Sequence, residues 1–347
     1  MNKNVALIGV SGYAGTILYQ LLKDHPKVST ITLYGHRDVG KHLSEIQPDL
    51  VQYGQVDPVI NQFDPKKIMK EADAAFFASS AGVTNQIAGT LIEADFPVID
   101  LSGDYRLSDP KSYEKWYKKP AAKADDLKKA TYGLCEFHPK LSRYIANPGC
   151  YATATLLGLA PVVLNNLIDL DSIIVDAKSG VSGAGKKLAP VSAFVTVNEN
   201  LTVYKANRHQ HIPEIVQELK NWNPQLRSIQ FTTTLLPITR GIMATIYAHV
   251  AKGIQDPEKI ISQAFIDTYE DKPFIKLHGS NLPSIKDAAY SNLDAIGWQY
   301  NSVTGIILIV SVIDNLLKGA AGQAVQNFNM MFGFNERIGL PIVPVMV

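Results

Sequence analysis

Only two of the 347 residues are cysteines, Cys135 and Cys150. That excludes a disulfide scaffold, and both thiols are expected to be reduced. Neither sign of charge is in excess: 33 basic residues against 32 acidic ones give a net charge of +1. Nucleic-acid binders carry a basic surplus or a basic face, so no nucleic acid is expected as a partner. Long hydrophobic runs are missing. The stretch from Gly305 to Ile313 falls well short of the ~20 residues that cross a bilayer. The N-terminal run Val5 to Val10 is below the ~7–15 apolar residues of a signal-peptide core. No membrane partner is expected, and the expected location is cytoplasmic. Internal repeats and low-complexity tracts are absent. With 46% hydrophobic and 19% charged residues, the composition excludes whole-chain disorder. At roughly 100–200 residues per domain, the length points to two domains.

The first half alternates. Val5 to Val10 reads as a strand buried on both faces, Tyr13 to Leu22 as a helix, and Ser29 to Tyr34 as a second strand. Asp73 to Ala78, a helical stretch from about Val83 to Glu93, and Pro97 to Leu101 continue the pattern. This is the mark of βαβ units on a parallel sheet. Lys111 to Lys129 holds seven lysines and reads as a solvated surface segment. A helix follows Cys150 to about Leu164, with Pro161 as a kink or stop. Beyond it, long strands with few helices (Ser172 to Ala177, Ile229 to Leu236, Gly241 to Val250, Val303 to Ile313) indicate an α+β domain on a mostly antiparallel sheet. Asn315 to Met331 reads as an apolar helix.

Three segments carry chemistry. The turn Gly9-Val10-Ser11-Gly12-Tyr13-Ala14-Gly15 lies between a buried strand and a helix. Its glycines allow a close approach to a pyrophosphate, which the helix N-terminus attracts; a tight turn without ligand is the bland alternative. NAD-preferring sites place a carboxylate at the end of the second strand. Here the chain reads Tyr34-Gly35-His36-Arg37. A guanidinium suits a 2′-phosphate, which points to NADP(H), although Asp38 pulls the other way.

The turn Asn147-Pro148-Gly149-Cys150 places a thiol at a helix start, where the positive helix end favours thiolate. The alternative is a small buried apolar residue. Cys135 lacks such a setting. A nucleophilic thiol needs a base or a donor. His209 and His211 stand out in Asn207-Arg208-His209-Gln210-His211, and no ligand cluster accompanies them, so no metal is expected. The loop Ser179 to Lys187 is glycine-rich but lacks the triphosphate-loop spacing; its amides and hydroxyls suit a small anion. Arg106, after the strand Pro97 to Leu101, is a second anion candidate.

Taken together, the segments GVSGYAG (9–15), DLSGDYRL (100–107), ANPGCYAT (146–153), SGVSGAGKK (179–187), RGIMATIY (240–247) and DNLLKGAAGQAVQN (314–327) closely resemble the N-acetyl-gamma-glutamyl-phosphate reductases. These are the NADPH enzymes of arginine biosynthesis, within the semialdehyde dehydrogenase superfamily. The resemblance implies a Rossmann-like domain over 1–149, completed by the C-terminal helix at about 314–347. A catalytic and oligomerisation domain would occupy 150–313, in a homodimer or homotetramer. It implies an acyl phosphate substrate, with Cys150 as the attacking thiolate and His209 as acid/base, His211 being its rival. Glu214 would orient one of the imidazoles. Arg106, Asn147, Ser182 and Gly183 would contact substrate. Gly9, Ser11, Gly12, Tyr13, Ala14, Gly15, Arg37, Ser79 and Gly183 would contact NADP(H). The Gly149 and Cys150 amides would face the oxyanion. Three positions depart from the family pattern: Ala78 to Gly82 replaces Pro-His-Gly, His36 stands where serine is common, and Cys135 where proline is usual. Aspartyl and carrier-bound aminoadipyl phosphates are the rival substrates. A non-catalytic dinucleotide sensor and a cysteine hydrolase are rivals of other classes.

Overall fold

The computed structural model describes residues 1–52 and 54–345. The chain divides into two compact units, one from Met1 to Pro148 plus Ala320 to Leu340, the other from Gly149 to Gly319 plus the chain from Pro341 onwards. Residues 314–319 thus stay with the second unit.

The first unit holds seven strands: β1 Lys3–Ile8, β2 Val28–Gly35, β3 Asn61–Gln62, β4 Ala74–Phe77, β5 Val98–Asp100, β6 Ala130–Tyr132 and β7 Tyr144–Ala146. Their order is β3-β2-β1-β4-β5-β7-β6, and every pairing is parallel. The order reverses between β1 and β4, the switch point where such sheets bind ligands beyond the strand ends. The strands are short and apolar because both faces are covered. Ala6, Ile8, Ala75 and Phe77 pack in one cluster. On the remaining buried set, the Phe76 ring lies 5.6 Å from Phe328 of the helix Gly322–Met331. Asn329 of that helix bonds the buried His25 ring at 2.9 Å. Here the apolar stretch 315–331 departs from one continuous helix: Leu317–Ala321 is a π-helical turn, and the α-helix starts at Gly322. The expected helix 83–93 is likewise two short pieces, Thr84–Ile87 and Gly89–Glu93.

The second unit holds β8 Ile174–Gly180, β9 Thr202–Tyr204, β10 Gln230–Leu236, β11 Ile242–His249, β12 Ile275–Gly279, β13 Asp294–Asn301 and β14 Ile306–Ile313. The order is β12-β13-β14-β11-β8-β10-β9. Four pairings are antiparallel; β8 with β10 and β12 with β13 are parallel. The helix Cys150–Leu164 packs on this sheet and is buried almost all round, from Tyr151 to Val163. It has no polar face, as expected of a core helix.

Pro161 neither stops nor ends that helix. Proline removes the N–H that would bond the carbonyl four residues back, which is Leu157. The Tyr269 hydroxyl, at the end of the helix Pro257–Tyr269, donates to that carbonyl instead. A distant side chain replaces the missing backbone donor. Tyr269→Phe would leave the Leu157 carbonyl without that donor, at a cost of ~1–3 kcal/mol. Denaturant unfolding of the variant should show a loss of that size, with the urea dependence unchanged.

Candidate active site

Two sets of functional residues form, one in each unit. In the first, the glycine-rich turn follows β1 and opens the helix Tyr13–Lys23. Gly9 has φ +95°, and a Cβ there would sit 2.7 Å from the Ala78 carbonyl oxygen. Gly15 packs directly on the Gly9 carbonyl, with no room for a side chain. Only glycine permits this three-way approach of turn, helix and β4 end. Gly12 caps the helix without any side-chain hydrogen bond, so the first-turn amides are left for a ligand, in the manner of pyrophosphate sites.

The adjoining cleft of about 400 Å³ is lined by Gly9, Ser11, His36, Arg37, Asp38 and Ser79, among others. The Asp38 carboxylate sits 3.0 Å from the Lys41 ammonium. Four of the residues expected around the cofactor, Gly9, Ser11, Arg37 and Ser79, thus share one cleft. Gly12, Tyr13, Ala14 and Gly15 shape the turn and the helix start. The donor set fits a dinucleotide: glycines at the turn, open helix amides, and a guanidinium where an NAD site would put a carboxylate.

In the second unit Cys150 is the first residue of its helix and partly exposed. Gly149 is the cap, in extended conformation and without a side-chain bond. The Gly149 amide donates to Glu214 Oε1 at 2.7 Å, and Glu214 is fully buried. The Gly149 N–H, one of the two amides expected to face the oxyanion, is thus engaged by the carboxylate, which grips the cysteine turn through Oε1.

A further contact was not foreseen. Gly319, in the π-helical turn, lies against Cys150, and a Cβ there would come within 2.8 Å of the Cys150 Cβ. π-Turns recur at functional sites. The motif 314–327 held this signal, but nothing local tied Gly319 to the cysteine.

Both histidines are buried beside Tyr151, their ring centroids 4.7 Å from each other and 5.2 and 6.1 Å from Tyr151. Their placement follows from the chain after β9. Lys205 and Asn207 take left-handed φ of +47° and +52°. Asn207 then clamps β10, its amide donating to the Phe231 carbonyl at 2.9 Å and its Oδ1 accepting the Phe231 amide at 3.1 Å. The turn delivers His209 and starts the helix His211–Trp222. His209 Nδ1 accepts the His211 amide at 3.2 Å, so the neutral ring carries its proton on Nε2.

Burial, then the charges of His211 and Lys205, push His209 down to about 2. Burial thus holds its ring in the neutral form near pH 7. The Tyr151 and Tyr204 hydroxyls are 2.9 Å apart. Burial pushes Tyr204 up to about 12, and the charge of Cys150 adds to the shift at both tyrosines. Tyr204 has no motif that marks it in the sequence.

The remaining expectations meet the structure differently. Asn147 is fully buried, with Nδ2 donating to Ala320 O at 3.1 Å and Oδ1 accepting Asn327 Nδ2 at 3.0 Å. Both ends of its side chain hold the first unit together. Arg106 is 8% exposed; Nε donates to Asn147 O and Nη2 to Leu101 O, each at 2.8 Å. In the loop 179–187, the amides of Gly180, Val181, Ser182 and Gly185 donate to carbonyls of Gly241, Ile238, Thr239 and Ser182. The loop is therefore not a row of open amides. The Ser182 hydroxyl accepts Asn315 Nδ2 at 2.9 Å, and Asn315 Oδ1 accepts the Gly241 amide at 2.8 Å. A Cβ on Gly183 would press on Ser179 Oγ at 2.9 Å. Cys135 is buried, its thiol facing the Gly133 and Gln323 carbonyls. Among the described residues, no group of three side chains is arranged to hold a metal ion.

Comparison with known proteins follows the same division. Residues 4–143 match the family model for the semialdehyde dehydrogenase NAD binding domain, and 150–315 that for the semialdehyde dehydrogenase dimerisation domain. N-acetyl-gamma-glutamyl-phosphate reductase 2 of Lactiplantibacillus plantarum is 51% identical over 341 residues, covering 98% of this chain and 99% of that protein. The Lactococcus lactis N-acetyl-gamma-glutamyl-phosphate reductase is 48% identical, covering 99% of both. The chain belongs to the N-acetyl-gamma-glutamyl-phosphate reductase family.

Among solved structures, aspartate semialdehyde dehydrogenase II of Vibrio cholerae shares the fold, with TM-score 0.72, 18% identity and 96% and 99% of the two chains covered. The Candida albicans aspartate semialdehyde dehydrogenase with NADP aligns at TM-score 0.67 and 16% identity, with 96% and 99% covered. The reductases of this family are oxidoreductases of the phosphorylating semialdehyde dehydrogenase type, and their cofactor is NADP(H). The Arg37 cleft suits that cofactor. No helix among the described residues is long and apolar enough to cross a membrane.

Two outcomes follow for this reductase. Gly319→Ala must displace Cys150; about 1 Å of misplacement costs ~10²-fold in rate, while NADPH affinity stays unchanged, as steady-state kinetics and a binding titration would show. His209 also links folding to pH. Below its unfolded value of 6.5, the unfolded chain binds a proton that the folded chain refuses. Stability is therefore full above that pH and falls as the pH drops, by up to ~1.4 kcal/mol per unit. His209→Asn should flatten this acid slope in denaturant titrations between pH 6.5 and 4.5.

Proposed function

We propose that this chain catalyses the NADPH-dependent reduction of N-acetyl-L-glutamyl 5-phosphate to N-acetyl-L-glutamate 5-semialdehyde and phosphate, in the cytoplasm, as a homodimer or homotetramer. The observation that carries the reading is Cys150 at an open helix N-terminus, held by Glu214 through Gly149 and walled by Gly319, with two histidines beside Tyr151. The first unit is the dinucleotide-binding domain and the second carries the thiol.

The partial positive charge of the helix start favours the Cys150 thiolate. The thiolate attacks the acyl carbon, the C–O bond to phosphate breaks, and phosphate leaves with the bonding pair. The acyl group is then a thioester on Cys150 Sγ. When bound, NADPH supplies a hydride. The oxyanion that reduction leaves on the Sγ-bound carbon is met by Cys150 N–H and His209 Nε2–H. Collapse restores the C=O bond and returns the electron pair to sulfur as thiolate. No net proton is needed in this half, which suits a histidine that stays neutral; a neutral imidazole acting as a hydrogen-bond donor is an attested catalytic device. Arg106, anchored on two carbonyls, is the proposed phosphate holder, and Ser182 and Gly183 flank the substrate.

The test runs the reaction backwards, with purified protein, N-acetylglutamate semialdehyde, NADP and phosphate. NADPH should form only with phosphate present, and Cys150→Ser should abolish it while still binding cofactor. Turnover with aspartate or aminoadipate semialdehyde but not the acetylated substrate would overturn the assignment. His209→Ala should lower kcat by ~10²-fold, and His209→Asn, which keeps an N–H donor, should recover part of that loss. Equal loss in both variants would mean that the ring moves a proton.

A further inference from the structure

The lysine-rich stretch from Lys111 to Lys129 is a surface segment with all seven lysines exposed, as its composition suggests, but its inner side is anchored. Its helix Pro110–Tyr117 is capped by Asp109, whose carboxylate accepts the Lys111 and Ser112 amides. That helix buries Tyr113, which stacks on Tyr117 at 4.5 Å. The Tyr117 ring in turn lies on Gly103, with no room for a Cβ between them. The segment then reaches the turn that follows β4. The exposed Lys119 ammonium donates to the Ala81 carbonyl, and Asn85 Nδ2 donates to Pro120 O at 2.7 Å.

The same turn is gripped from inside. Asp104 is buried, with Oδ1 accepting the Gly82 amide and the Tyr113 hydroxyl, both at 2.6 Å. Its Oδ2 accepts the Asn85 amide at 3.0 Å. Ser102 links it to a second buried acid. The Ser102 hydroxyl accepts the Asp104 amide at 3.2 Å and donates to Asp100 Oδ2 at 2.8 Å. Asp100 Oδ1 accepts the Thr84 hydroxyl at 3.3 Å, and Thr84 Oγ1 lies 2.6 Å from Ser79 Oγ. Ser79 and Val83 are walls of the dinucleotide cleft.

We propose that Asp104 and Lys119 are positioning residues for the dinucleotide: from inside and outside they strap the turn 79–85 and so fix the Ser79 wall of the cleft. The inference rests on the reading of that cleft as the NADP(H) site. Burying a carboxylate is costly unless its oxygens are well bonded. Here the Asp104 carboxylate accepts from the Gly82 and Asn85 amides of the turn and from Tyr113 of the segment that covers it. Two main-chain amides held by one carboxylate fix a backbone whatever its side chains. That suits a turn which, in this chain, carries Ser79-Ser80-Ala81.

The test compares full-length wild type, Lys119→Ala and Asp104→Asn. NADPH affinity is read by fluorescence titration, and the turn by amide hydrogen exchange over 79–88. Each lost bond should weaken binding by roughly its net worth. The expected dissociation constant rises about threefold in Lys119→Ala and about tenfold in Asp104→Asn, with faster exchange at Gly82 and Asn85. Wild-type affinity in both variants overturns the proposal, whether or not exchange quickens. If Asp104→Asn does not fold, Lys119→Ala decides alone, because Lys119 is at the surface. A wild type that fails to bind NADPH would instead overturn the reading of the cleft.

Discussion

The bond from the Gly149 amide to the Glu214 carboxylate decides where the helix Cys150–Leu164 begins. The helix starts without a side-chain cap of its own, which on the proposed role of Cys150 keeps its first amides pointed at the reacting group. Something else has to hold the turn. Glu214 does so from the first turn of another helix, through a hydrogen bond to a charged group of the kind worth about 1.5–3 kcal/mol. The rest of the site hangs on that start. Thr153 returns its hydroxyl and amide to the Gly149 carbonyl, Tyr151 is placed between the histidines and Tyr204, and Gly319 closes on the thiol's own Cβ.

The same economy of space governs the dinucleotide turn. Gly9, Gly15 and the Ala78 carbonyl meet without side chains between them. The cleft's far wall, Ser79 to Asn85, therefore cannot be set by packing against bulk. It is set by hydrogen bonds from two buried acids and a surface lysine. Close backbone approach on one side and polar strapping on the other are two answers to one problem, that of holding irregular chain rigid beside a ligand.

Much of the fold was legible because it is local. Strands β1 and β4 are short apolar runs ended by small residues, the helix of Cys150 follows a turn-forming Asn-Pro-Gly, and Arg37 stands where a carboxylate would signal the other cofactor. What was not legible shares one cause. Pro161 was read as a kink or stop, but Tyr269, remote in the chain, donates to the carbonyl that proline leaves open. Asn147 was read as a substrate contact, and nothing near it in the chain announces that Ala320 and Asn327 bond both ends of its amide. The lysine-rich segment was read as solvated, and its lysines are exposed, but the partners of Tyr113, Tyr117 and Lys119 at Asp104, Gly103 and Ala81 lie in other parts of the chain.

The sequence by itself therefore determined the order of elements, the class of cofactor and the candidate nucleophile, since each is written in residues adjacent along the chain. Only the tertiary structure decided what each polar group is bonded to. Glu214 and Gly149 are 65 residues apart, and Gly319 meets Cys150 from still farther along. A main-chain N–H has a single proton to place, and which distant acceptor receives it depends on packing that local sequence does not encode.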